Sequence, residues 1–186
     1  NRRNFLLLGD PAVRLAYPWH GKVVTDSINN VSVSEVTDSL KALSMITVAG
    51  HIEDGTGIEL TDFSGLVSPT VFGKSVSVQT LSNDGGEKTE FSLRNNILFS
   101  GKTNSKNGRF RFSFIVPRDI DYNFGQGKVS YYASGDEMDF TGYYDKIIVG
   151  GFDNNTESDN DGPEIRLFLN DTLFRDGGVT DQNPKL

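Results

Sequence analysis

From Lys22 onward, apolar residues recur mostly at every second position and seldom at helical spacing. Val23, Val24, Ile28, Val31 and Val33 stand among Thr, Ser and Asn, which predicts one or two short strands over Lys22–Val33. Ile46, Val48 and Ile52 alternate with Thr47, Ala49 and His51, and Asp54-Gly-Thr-Gly closes that strand with turn chemistry. In Val71–Leu81, Val76 and Val78 face one way while Ser77 and Gln79 face the other. Asn83-Asp-Gly-Gly is a turn, and Glu90–Phe99 leads out of it. Asn107-Gly108 supplies the positive φ angles of a two-residue hairpin. After it, Phe110, Phe112, Phe114 and Val116 point inward, Arg109, Arg111 and Ser113 point outward, and Pro117 ends the run. Gly127–Ala133 and Tyr143–Gly151 complete the strands. The one helix candidate is Glu35–Leu43, with Val36, Leu40 and Leu43 at i, i+4 and i+7; an extended form is its alternative.

At least seven short strands punctuated by Gly, Asn and Asp turns predict an all-β fold, an immunoglobulin-like antiparallel β-sandwich. The flanks read differently. Phe5-Leu-Leu-Leu-Gly-Asp-Pro is an apolar strand leaving a sheet, so residues 1–18 are expected to be the remnant of a preceding domain. Residues 19–152 form the sandwich and 153–162 an acidic linker. Residues 163–186, opening with Glu164-Ile-Arg-Leu-Phe-Leu, are the first strand of a following β-domain.

Thirteen Phe and six Tyr in 186 residues can furnish one aromatic-rich core, and 20 Gly fit many tight turns. A formal charge of −7 argues against nucleic acid, which is bound through clustered Lys and Arg. No stretch approaches the ~18 apolar residues of a membrane span. Zero cysteines remove thiol nucleophiles, thiolate metal sites and disulfides.

The acidic segment from Asp153 to Glu164 holds five carboxylates. With Gly162 in sixth place, Glu157, Asp159 and Asp161 take positions one, three and five of a calcium hand. Phe168 then falls where the bidentate glutamate belongs, so the match fails. The segment reads as a solvated linker. Calcium held by Asp153, Glu157, Asp159 and Asp161 is the alternative, since Asp159-Asn-Asp-Gly-Pro resembles cadherin-type linkers. His20 and His51 have no ligand partner at metal spacing, and His51 is expected to face solvent. No Gly-x-Ser-x-Gly elbow occurs. Trp19 is expected to pack in the joint ahead of the sandwich. Trp19, Tyr122, Tyr131 and Tyr143 are the aromatics that a glycan-binding module would expose.

Five segments resemble the PorU-like sortases, gingipain-type cysteine peptidases of Bacteroidetes that serve type IX secretion. Leu7-Leu-Gly-Asp-Pro-Ala-Val-Arg-Leu-Ala-Tyr-Pro resembles the end of their peptidase domain. Asp38-Ser-Leu-Lys-Ala-Leu-Ser with Val48-Ala-Gly-His-Ile resembles the entry to the β-domain after it. Leu60-Thr-Asp-Phe-Ser-Gly, Asn107-Gly-Arg-Phe-Arg-Phe-Ser-Phe-Ile-Val-Pro-Arg-Asp-Ile and Asp161-Gly-Pro-Glu-Ile follow in order. The resemblance implies a cell-surface, outer-membrane-associated enzyme that removes carboxyl-terminal sorting signals and helps attach cargo to anionic lipopolysaccharide. Its catalytic Cys and His would lie upstream. With no Cys, this chain carries over no catalytic residue and is expected to be a non-catalytic accessory domain without a cofactor. Its expected partners are the preceding peptidase domain and the following β-domain of the same chain, with other secretion-system proteins further candidates. The alternative is a module that binds carbohydrate or lipopolysaccharide.

Overall fold

The structure, a computed structural model, describes residues 17–18, 20–35, 37–83, 85–136, 138–154, 170, 174 and 178–179. The chain divides into two compact units, Asn1–Thr156 and Glu157–Leu186, and the strands among the described residues lie in the first. In order they are β1 (Gly21–Ile28), β2 (Val31–Ser32), β3 (Leu40–Ala42), β4 (Met45–Asp54), β5 (Gly65–Phe72), β6 (Val76–Gln79) and β7 (Glu90–Leu93). There follow β8 (Ile97–Ser100), β9 (Thr103–Ser105), β10 (Arg109–Ile115), β11 (Gly125–Gln126), β12 (Lys128–Ser134), β13 (Asp139–Tyr144) and β14 (Ile148–Phe152). The fold is all-β and sandwich-like, as the alternation predicts.

Nine strands form the main sheet, in the order β10-β4-β1-β13-β12-β5-β8, with β2 on β1 and β9 on β5. All its pairings are antiparallel except β1 with β13, which run parallel. The sheet curls until its ends meet. β9 pairs with β5, and the Asn107-Gly108 turn (φ 53° and 74°) sends the chain back as β10, which pairs with β4. Between β9 and β10 the backbone pairs only at the turn, Lys106 with Arg109 (2.9 and 3.1 Å), and side chains continue the join. The hydroxyl of Thr103 donates to the Arg111 carbonyl (2.8 Å) and that of Ser105 to the Arg109 carbonyl (3.3 Å). This near-closure turns the sandwich toward a barrel.

β8 and β9 form one line along β5, broken at Gly101-Lys102, opposite Ser68 and Pro69. Pro69 has no N–H to extend the ladder, but its carbonyl still accepts from the Gly101 amide at 3.2 Å. Inside lie Val23, Ile46, Val48, Ile52, Val67, Val71, Val129, Ala133 and Phe140, all nearly inaccessible. Phe99 of β8 stacks on Phe112 and Phe114 of β10, with centroids 5.6 and 4.9 Å away. The inward register of Phe110, Phe112 and Phe114 is as predicted.

A three-stranded sheet, β11-β14-β3, packs Leu40, Ala42 and Val149 into the same core. Two expectations are corrected here. The helix candidate is extended over Leu40–Ala42, with Leu40 and Ala42 buried and Lys41 turned outward; Leu43 then takes φ 66°. A two-residue inward period leaves no helical stripe. Tyr143–Gly151 is also not one strand, because β13 ends at Tyr144 and β14 belongs to the second sheet.

Candidate functional site

Three places bring chemistry-bearing side chains together. The first is the outer face over β1, β4 and β10. A register shift between Thr25 and Ser27 makes a bulge at Asp26, and the bulge re-aims that carboxylate along the sheet. Asp26 Oδ1 lies 2.7 Å from His51 Nδ1, while His51 Nε2 lies 3.4 Å from Glu53 Oε2. Glu53 Oε1 meets Lys22 Nζ at 3.0 Å. Next to His51 in register, Arg109 forks onto Glu59 at 2.5 and 2.7 Å. That fork holds the Glu59 carboxyl below its ordinary range and raises the Arg109 guanidinium. His51 is on the outer face as expected, yet its side chain is only 18% exposed, wedged between two carboxylates. An Asp–His pair can relay a proton, but here Nε2 is directed at a carboxylate and not at a hydroxyl nucleophile.

Among the described residues no group of three or more His, Asp or Glu is arranged to hold a metal ion. Of the calcium candidates only Asp153 is described; its amide donates to the Ala42 carbonyl at 3.1 Å. Glu157, Asp159 and Asp161 lie outside the described residues, as do Trp19, the Phe5–Leu8 run and the strand expected from Glu164. His20 is exposed in the bend before β1.

The second place is aromatic. Tyr122 and Tyr143 are exposed, as a glycan platform requires. Tyr143 lies under Lys128 Nζ, 4.7 Å from its centroid. Tyr122 packs edge-on against Phe152 at 5.9 Å, and Phe124 stands exposed beside Gly151. Sequence reasoning missed Phe124, two residues along the chain from Tyr122, and Phe152, which the β11–β14 pairing brings near Tyr122. Tyr131 is a correction. It is 4% exposed inside the barrel, so it can touch no external ligand, and burial pushes its phenol well above the ordinary value.

The third place is an arm. After Phe72 the chain leaves the main sheet through Gly73–Ser75, forms the two-stranded β6–β7 ribbon and returns through Arg94–Asn96 to β8. Val71–Leu81, read as one strand region, is therefore split. Two cations grip the base. Lys74 Nζ meets the Asp121 carboxylate (2.8 Å) and carbonyl (2.9 Å) and donates to the Asn123 carbonyl. Arg94 donates to the Gln126 carbonyl at 3.5 Å. The Lys74 contact lowers the Asp121 carboxyl.

No protein-family model matches the chain, and no curated protein does. A solved structure described as dimeric latent PorU from Porphyromonas gingivalis is similar over 90% of this chain, with 32% identity and a TM-score of 0.68. The matched stretch is 16% of that PorU chain. The relation to PorU thus holds at the level of structure and for a domain-sized part of it. Spo0M, a sporulation control protein from Bacillus subtilis, aligns with 71% of this chain and 50% of its own, at 15% identity and a TM-score of 0.41. No helix among the described residues is long and apolar enough to cross a membrane.

Proposed function

We propose that the chain is a non-catalytic accessory β-domain of a PorU-like sortase, a gingipain-type cysteine peptidase of type IX secretion. In this reading the parent works at the cell surface, on the outer membrane, and this domain braces the peptidase domain and spaces it from later β-domains. The observation that carries it is the match at 32% identity over 90% of this chain. The lack of any Cys supports it, because a thiol nucleophile would have to come from elsewhere in the parent. The PorU neighbour is dimeric, and we carry self-association over to the parent of this chain.

The test adds the purified chain to the parent's peptidase region expressed without it. Binding to the native state should raise that region's melting temperature. No shift at about 100-fold excess over a micromolar Kd removes the bracing role. Hydrolysis of a peptide by the chain alone removes the non-catalytic reading.

The exposed Tyr122, Phe124 and Phe152 cluster favours a second reading, a surface that stacks on carbohydrate or lipopolysaccharide. Binding of lipopolysaccharide that is lost in Tyr122→Ala with Phe124→Ala would support it. Equal binding by the variant would discard it.

A further inference from the structure

β10 lies at one end of the main sheet, and only the first half of its outer edge is covered. The Arg109 amide and carbonyl bond to Lys106 across the turn, which shows that this residue turns its backbone groups away from β4. In an antiparallel ladder the direction alternates, so Arg111, Ser113 and Ile115 do the same. The Ser105 and Thr103 hydroxyls occupy the carbonyls of Arg109 and Arg111. Beyond Thr103 the β8–β9 line breaks at Gly101-Lys102, and there Phe99 reaches β10 only from inside, stacked on Phe112 and Phe114. Among the described residues no backbone group pairs with the outward amide and carbonyl of Ser113 or of Ile115. Phe112–Val116 also holds no Lys or Pro, the residues that commonly guard an exposed edge.

The outer face specifies what could pair there. Register across β4 and β10 gives three rows: Met45 with Ile115, Thr47 with Ser113, and Ala49 with Arg111. Met45 and Ile115 form an exposed apolar pair, at 67% and 59%. The Thr47 and Ser113 hydroxyls bond at 2.8 Å. Arg111 donates to the neutral Asn30 Oδ1, and among the described residues no carboxylate pairs with it or with Lys102. Arg109, by contrast, is neutralised by Glu59.

We propose that the open half of β10 is a strand-addition site, which takes an extended segment of a partner protein as an extra antiparallel strand. Main-chain bonds to Ser113 and Ile115 hold the segment, and the three rows select it. Each row gains one residue: a β-branched apolar side chain opposite Ile115, a hydroxyl opposite Ser113 and a carboxylate opposite Arg111. Antiparallel pairing sets these in that order from amino to carboxyl end, at every second position. The residues between them point to the side that Phe99 already fills, so they are small. Thr103 closes the site, because its hydroxyl holds the Arg111 carbonyl, and Lys102 beside it adds a second positive charge at the acidic end. Backbone bonds of modest net strength give an isolated peptide a Kd of about 0.1–1 mM.

The probe is the blocked peptide acetyl-Ser-Val-Ala-Thr-Ala-Glu-Ser-amide, added to the whole chain up to about 2 mM while amide resonances are followed by NMR. The Ser113 and Ile115 amides should shift most and gain protection from hydrogen exchange. Methylating the backbone nitrogen of the peptide's threonine, which removes the donor to the Ser113 carbonyl, should weaken binding at least about tenfold. Replacing its glutamate by lysine should weaken binding about three- to tenfold at low salt. Neither comparison needs a variant of the chain, so its folding does not enter. No response of these two amides overturns the site, and equal binding of the methylated peptide overturns strand pairing. Equal binding of the lysine peptide overturns the acidic preference. Shifts of the same amides that follow chain concentration without peptide give the edge to a second copy and overturn the foreign partner.

Discussion

Thr25 Oγ1 and Tyr131 Oη lie 2.6 Å apart inside the barrel, where each residue is only 4% exposed. They come from β1 and β12, which β13 separates. Phe110 packs on the Tyr131 ring at 5.5 Å, so the two hydroxyls are shut into an apolar interior and satisfy each other. Removing one partner leaves a buried hydroxyl unmatched. Tyr131→Phe and Thr25→Val should each cost about 1–3 kcal/mol in denaturant unfolding. The double variant should cost less than the sum of the two, because neither orphan remains. Additive losses would mean the hydroxyls do not depend on each other.

The same pair sets an alkaline limit. Burial raises the Tyr131 phenol above its unfolded value near 10, so the folded chain keeps a proton that the unfolded chain releases. The stability linked to this group is fully present below about pH 10 and falls as pH rises, by up to about 1.4 kcal/mol per pH unit. Unfolding measured from pH 9 to pH 11 should show a shallower decline in Tyr131→Phe than in the wild type. Identical slopes would assign the decline to other tyrosines.

Two glycines are required by close backbone approach. A β-carbon on Gly142 would collide with the Val23 carbonyl, and one on Gly50 with the Val24 carbonyl and the Phe110 ring. Both sit where β1 is flanked by its neighbours, β13 and β4. Gly142→Ala and Gly50→Ala should each destabilise by about 3 kcal/mol or more, seen as a lowered urea midpoint at unchanged slope. Near-neutral variants would show that the strands are free to spread apart.

The hold on the arm is acid-sensitive. Hydrogen bonding to Lys74, and then to the Asn123 amide, lowers the Asp121 carboxyl. Its contribution is present above the unfolded value of about 4 and is lost as pH falls through the lower folded value. Protection of the Gly73 amide from hydrogen exchange should therefore drop below about pH 4 in the wild type. In Asp121→Asn it should be low already at neutral pH. Protection that ignores this substitution would place the grip elsewhere.

Legibility in the sequence followed the range of the interactions. Asn107-Gly108 and the Phe110, Phe112 and Phe114 alternation were readable because turn conformation and strand period are local. The Asp54 turn was readable too, since that carboxylate accepts from the Thr56 and Ile58 amides a few residues on. Leu40 misled because three residues of strand are too short to show a period, and only packing from β14 makes them extended. The arm was half visible: the alternation of Val76 and Val78 was read correctly. The break at Gly73–Ser75 depends on Lys74 reaching a loop some 50 residues away and leaves no local mark. The Asp26–His51 contact depends on a bulge that no composition announces.

The parallel pairing of Lys22 with Thr141 has a kinetic consequence, because it joins positions 119 residues apart in the chain. β1 sits between β4 and β13, so this sheet cannot be completed during synthesis until nearly all the strands have left the ribosome. With so much non-local pairing, refolding belongs on the millisecond-to-second scale of β topologies. Until then the nascent chain carries its aromatic strands uncovered, and that interval is when it most needs shielding from aggregation.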